Sequence, residues 1–276
     1  MKISTFIFLF TFIILLLPFP DSKAAPKGCK ILKNGRLSCK IKGIKKTNIP
    51  VSSKKSIRET DLYPWKAISK IKKTLSIGSC WHGALHRPEK IKTRGRGYGV
   101  LPRTVKRGHD WGTSELIRLV RDISAAVAKA YPGSHLAIGD LSRQTGGFAP
   151  GHRSHQSGRD VDLGFYMINK NHKYMRVHDN FPRFNTIARG EGPYKHLIFD
   201  LERNWELVEQ LLNHHSGVTL IIVDKSIKAL LISYAEAVAR PPALIAKARR
   251  IIRHASWHED HFHVRIGCPA NQPYCK

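Results

Sequence analysis

Gly151-His152-Arg153-Ser154-His155-Gln156-Ser157-Gly158-Arg159-Asp160-Val161-Asp162-Leu163-Gly164 sets two histidines ahead of two aspartates, with a glycine between the pairs. Polar up to Asp160 and then running into Leu163, Phe165, Met167 and Ile168, it reads as a loop entering a strand. Asp162 then faces away from Val161 and Leu163, because side chains alternate along a strand. Asp160 shares its side if the strand begins early enough. Imidazole nitrogen and carboxylate oxygen suit zinc, which needs a third protein ligand. Near the other end stands Trp257-His258-Glu259-Asp260-His261-Phe262-His263-Val264-Arg265-Ile266. As a strand it points His261 and His263 one way and Phe262 and Val264 the other. His258 joins them if a turn comes first. Three histidines within six residues are costly to desolvate unless they bind metal or move protons. The two segments are therefore expected to meet and hold one catalytic zinc. His135, His196 and His214 stand alone and are expected at the surface or hydrogen-bonded.

The intervening chain reads as scaffold. Thr113 fits a helix N-cap ahead of Leu116, Leu119, Val120, Ile123 and Val127, and Pro132-Gly133 stops the helix. Residues 136–141 read as a strand and 142–150 as the loop into the opening motif. Residues 203–212 read as a helix, 218–223 as a buried strand, and Asp224 as the cap of another helix. Pro241-Pro242 open a last helix that is expected to end near Ser256. The long segment 169–194 is too polar to assign; such loops usually rim a site.

Bulk properties narrow the setting. Lys2 precedes an almost wholly apolar run over residues 3–17, broken by Pro18 and Pro20, and Ser22-Lys23-Ala24 offers small residues for cleavage after Ala24. Residues 1–24 are read as a signal peptide, so the protein is expected to be exported, periplasmic or secreted, with no transmembrane segment after cleavage. Residues 25–58 carry 11 Lys or Arg and no acidic residue, and 25–68 is read as a flexible basic arm before a catalytic domain at 69–276. A formal net charge of +27 implies an anionic partner such as a cell-wall polymer. Export, and the scarcity of aromatics among the basic runs, argue against a physiological nucleic acid partner. Of five cysteines, Cys29 with Cys39 and Cys268 with Cys275 can close small loops, leaving Cys80 over; connectivity stays open. None has the spacing of a zinc site, so they read as staples.

The spacing from His155 to Asp162, followed far downstream by His261 and His263, resembles the penicillin-insensitive murein endopeptidase family. That family lies within the group of zinc peptidases that includes lysostaphin-like enzymes, D-Ala-D-Ala peptidases and the hedgehog domain. The likeness extends to Gly139-Asp140-Leu141-Ser142, Ser154 to Gly158 with Asp160-Val161-Asp162, and Trp257 to Pro269, loosely spanning residues 75–275. It implies an α+β fold in which a small, mostly antiparallel sheet carries the zinc site with helices packed around it. It also implies zinc on His155, Asp162 and His263, with His261 as general base and His258 as a further catalytic group. His152 and Asp160 would support these ligands, though a ligand role for His152 stays open. The implied activity is a D,D-endopeptidase that hydrolyses D-alanyl-diaminopimelate cross-links in peptidoglycan through a zinc-activated water and a histidine base. Consistent with that, no Ser-x-x-Lys is joined to a Lys-Thr-Gly triplet of the penicillin-binding type. The alternatives are a zinc D-Ala-D-Ala carboxypeptidase or dipeptidase, and a non-catalytic cationic wall-binding protein.

Overall fold

Alternating strands build the floor of the site, and their order follows from which faces are apolar. The computed structural model describes residues 63–176 and 178–276, together with the backbone of two short strands before them. The chain divides into two compact units, Met1–Lys54 and Lys55–Lys276. In the first, β1 (Cys29–Ile31) and β2 (Leu37–Cys39) pair antiparallel, with Cys29 opposite Cys39. The signal peptide, the rest of the basic arm up to residue 62 and any Cys29–Cys39 bond lie outside the described residues.

In the second unit, α1 (Trp65–Ile68) leads to the hairpin β3 (Leu75–Gly78) and β4 (Gly83–His86). Three short strands follow: β5 (Glu89–Lys90), β6 (Arg94–Gly95) and β7 (Tyr98–Val100). Then come α2 (Pro102–Arg107), β8 (Trp111–Gly112), the long α3 (Ser114–Ala130) and β9 (Leu136–Ile138). The opening motif becomes β10 (Asp160–Gly164), which starts at Asp160 itself. A three-stranded sheet is made of β11 (Met167–Asn169), β12 (Tyr174–Met175) and β13 (Leu197–Phe199). The last part runs α4 (Leu201–Asn213), β14 (Val218–Val223), α5 (Lys225–Ala237), α6 (Pro242–Ile251), β15 (Ile252–His254) and β16 (His261–Ile266).

The central sheet has the order β15-β14-β16-β10-β9-β7-β6. Four of its six pairings are antiparallel and two parallel, which makes the fold α+β with a mostly antiparallel sheet, as expected. Val161 and Leu163 of β10, Phe262 and Val264 of β16, and Ile221 and Val223 of β14 point to one face and are fully buried. That face packs against α3 through α6 in the main core. Burial of one such large apolar side chain stabilises by about 1.5–3 kcal/mol.

The helices are capped where the sequence suggests. Thr113 Oγ1 accepts from the Leu116 amide at 3.3 Å, and the Asp224 carboxylate from that of Ser226 at 2.7 Å. One expectation is corrected. The last helix ends at Ile251, not near Ser256, because Ile252 is drawn into the sheet beside Ile221 of β14 as β15. A β-branched residue at the edge of an apolar sheet face buries more there than in another helical turn. Among the described residues no helix is long and apolar enough to cross a membrane.

Candidate metal and active site

Register brings the two motifs together. Asp162 of β10 lies opposite His263 of β16, which lies opposite Ile222 of β14; one step along, Asp160, Arg265 and Leu220 line up likewise. These residues project from the face opposite the helices, so that face is the floor of a cleft of about 770 Å³. His152, His155, Asp162, His258, His261, His263 and Arg265 all line it.

At its centre His155 Nε2 is 3.1 Å from His263 Nδ1 and 3.2 Å from Asp162 Oδ1, and His263 Nδ1 is 3.1 Å from the same Asp162 oxygen. Ligand atoms about 2.0–2.2 Å from one zinc at near-tetrahedral angles stand about 3.3 Å apart. The outward nitrogens are engaged: His155 Nδ1–H donates to the Leu141 carbonyl at 2.8 Å, and His263 Nε2–H to Asp160 Oδ1 at 3.1 Å. The inward nitrogens of the neutral rings are therefore both lone pairs, facing each other and a carboxylate. Backing a ligand imidazole with a carbonyl or carboxylate is how proteins orient metal ligands. Three converging electron pairs need a cation between them. In the metal-free protein a proton on His263 supplies it. Burial alone lowers the His263 pKa, but hydrogen bonds and charges from Asp160 and Asp162 outweigh it and raise it to about 9. Burial raises the Asp162 pKa, and the neighbouring His155 and His261 more than reverse that, holding it well below the usual carboxylate range. The donor set fits zinc.

The chain bends tightly into this centre. His155 sits at φ +65°, a left-handed conformation uncommon outside glycine, with its amide held by Asp160 Oδ2 at 3.1 Å. Asp160 is fully buried and also accepts from Arg265 Nε at 2.6 Å.

His261 stands beside the cluster, its Nε2 3.6 Å from Asp162 Oδ1 and its Nδ1 2.5 Å from Asp260 Oδ1. Burial lowers its pKa, and the charges of Asp162 and Asp260 carry it above the ordinary histidine value. Phe181 stacks on the ring, with centroids 5.6 Å apart and planes at 25°. Phe181 comes from the segment too polar to assign by sequence. It fits because Gly139 and Gly164 have no Cβ: one at either position would meet the phenyl ring at 2.8 or 2.7 Å. His258 lies 5.0 Å from His261, ring to ring, after a turn at Trp257 with φ +67°. Its Nδ1–H donates to the Ser256 carbonyl at 2.9 Å, and burial lowers its pKa.

His152 lies on the other side, its ring 4.2 Å from that of His155 and its Nδ1 3.8 Å from Asp162 Oδ2. With His155 and Asp162 it forms a further group of ligand atoms within 4.8 Å of one another. Its Nε2–H donates to Asp140 Oδ2 at 2.8 Å. Asp140 also accepts from His109 Nδ1 at 3.1 Å, Thr104 Oγ1 at 2.9 Å and Arg107 at 2.6 Å. Burial would raise its pKa; these donors hold it far below the usual range. His109, Asp140 and His152 have the spacing of a metal group too, but the Arg107 guanidinium already supplies the cation there. Sequence reasoning gave His109, Arg107 and Asp260 no role; Asp140 lay in the Gly139–Ser142 stretch and was unassigned.

Elsewhere, His214 bonds Asp122 at 3.3 Å and His135 bonds Arg176. Cys268 and Cys275 are disulfide-bonded. Cys80 is free and buried, its thiol pushed up to about 11 by burial.

Comparison with known proteins gives the family. The sequence pattern of the penicillin-insensitive murein endopeptidases matches residues 76–276. A protein of that name from Klebsiella pneumoniae is 29% identical over 220 residues, covering 77% of this chain and 74% of that protein. The Escherichia coli O139:H28 counterpart is 28% identical over 218 residues with the same coverage, and that of Haemophilus influenzae 24% identical over 218 residues, covering 74% and 67%. A match over most of the chain, including both site motifs, places it in the penicillin-insensitive murein endopeptidase family.

Proposed function

We propose that the chain is an exported zinc peptidase, a D,D-endopeptidase that cleaves the D-alanyl-diaminopimelate type of cross-link in peptidoglycan. Family membership supports the coarser activity, a peptidase acting on peptidoglycan. The finer reading is carried by one observation: three inward electron pairs 3.1–3.2 Å apart on the floor of a cleft, with a carboxylate-backed histidine beside them.

His155, Asp162 and His263 would hold the metal, and bound there zinc would supply Lewis acidity, enough to lower the pKa of a water to about 7 and to polarise an amide carbonyl. His261 takes a proton at Nε2. Asp260 keeps the other nitrogen protonated and Phe181 fixes the ring plane, so the accepting lone pair faces the cluster. The same Nε2 then returns the proton to the leaving amine nitrogen, and Asp260 stabilises the imidazolium between the two events. His258 is neutral near pH 7, with Nδ1–H spent on Ser256. It serves better as a hydrogen-bond acceptor for the nucleophile or the amine than as a cationic donor to an oxyanion. Asp160 and Asp140 keep His263 and His152 in orientation. Residues 1–24 act as the export signal, and the strong positive charge of the remaining chain holds the enzyme to an anionic wall.

Mass spectrometry of cross-linked muropeptides incubated with the protein, with chelator, and with chelator followed by zinc tests this. Cross-linked dimers should fall to monomers, stop falling with chelator and resume with zinc. Full cleavage by metal-free protein refutes the reading. Shortening of uncross-linked pentapeptides alone would instead identify a carboxypeptidase.

A further inference from the structure

We propose that Arg265 is a carboxylate-binding fork: it selects substrates that carry a free carboxylate on the residue whose amine is released. The inference rests on the peptidase reading and adds what the cleft recognises. Arg265 is about nine-tenths buried, an unusual place for a guanidinium unless its charge is used. Its Nε is spent on Asp160 at 2.6 Å, while the guanidinium lies 4.8 Å from the centre of the Trp81 ring. Among the described residues its two terminal nitrogens have no hydrogen-bond acceptor, yet Arg265 lines the cleft. Asp160 neutralises and aims it, Trp81 fixes its plane, and a parallel pair of N–H donors is left to face the substrate. That geometry matches a carboxylate bidentately.

The charge pattern agrees. Arg153 and Arg265 line the cleft, and among the described residues Asp162 is the one acidic residue in its lining, already committed to the metal cluster. With Arg265 paired to Asp160, the Arg153 charge is left over and draws an anion. Position narrows the choice. His263 and Arg265 are two residues apart on one face of β16, about 6.8 Å along the strand. An extended substrate advances about 3.3–3.6 Å per residue. An anion on Arg265 is therefore within one to two residues of the bond at the metal. In a D-alanyl-diaminopimelate cross-link, the carbon that bears the acylated nitrogen also bears a carboxylate, which meets this requirement.

The test uses two cross-linked dimers that differ only in that carboxylate, free in one and a carboxamide in the other. The zinc-loaded wild type should show a KM about 10- to 100-fold lower for the free acid, with similar kcat. Arg265→Lys keeps a positive charge for Asp160 but loses the fork. Trp81→Leu alters only a half-exposed ring and leaves the ion pair. Both should raise KM on the free acid far more than on the carboxamide, collapsing the discrimination. Calorimetry with the monomeric product, as acid and as carboxamide, reads the same preference without turnover. Cross-link cleavage with no preference overturns the fork and leaves the peptidase reading standing. Acid-selective product binding without cleavage does the reverse. An equal loss on both substrates in both variants shows that Arg265 only supports the fold, and overturns the proposal.

Discussion

At His263 the two ring nitrogens do different work, and so do the partners that make them differ. Nε2–H is held by Asp160 and Nδ1 is turned to Asp162 and His155. His261, two residues away on the same face, is instead held by Asp260 and Phe181 and reaches only the edge of the cluster. Ligand and base should therefore separate by mutation. His155→Ala and His263→Ala are expected to lose both zinc, measured by elemental analysis, and cleavage. His261→Ala should keep one zinc per chain while turnover drops by about 10²–10⁴-fold. Loss of zinc in His261→Ala would make it a ligand and require another base.

At the scale of elements, β10 and β16 were legible and what surrounds them was not. Asp160 with Asp162, and His261 with His263, stand at alternate positions and carry their geometry in their spacing, since a strand has one way to present residues i and i+2. The capped helices were readable for a similar, local reason. Asp140 with His109, and Phe181 with Gly139 and Gly164, were not. Each joins residues that only the tertiary fold brings together, and a glycine that makes room for a distant phenyl ring leaves no local trace. That slot can be tested. In Gly164→Ala the new methyl would stand 2.7 Å from the Phe181 ring and 3.2 Å from Ala137. Overpacking should cost about 1–3 kcal/mol in urea unfolding, and turnover should fall several-fold with zinc retained. Adding Phe181→Leu should restore most of the stability but not the turnover, because the support of the His261 ring is gone. Recovery of both would mean that the stack has no part in positioning the base.

For the whole molecule, the proposed metal site is also a charge problem that folding must solve. Without metal, His263 keeps a proton up to about 9, against 6.5 for an unperturbed histidine. Its contribution is complete below pH 6.5 and is lost as pH rises through about 9, because the unfolded chain binds fewer protons there. Asp140, Asp160 and Asp162 work in the opposite direction. All three are held below the ordinary 3.8, so their contribution is present above that value and fades as pH falls below it. His135, whose pKa burial lowers to about 4, and His214 and His258, also lowered by burial, cost stability as pH falls below 6.5. Chelator-treated protein should thus melt highest near pH 6.5, and its Tm should fall steadily toward pH 9.5. Zinc must displace the proton on His263 Nδ1, so its binding tightens with rising pH and releases about one proton between pH 6.5 and 9. Adding zinc should flatten or reverse the alkaline fall in Tm. Calorimetric titrations of zinc at pH 7.5, in buffers of different ionisation enthalpy, should count the released proton directly. An alkaline Tm that is flat without metal, or zinc uptake with no proton released, would mean that no proton takes the place of the cation between these three side chains.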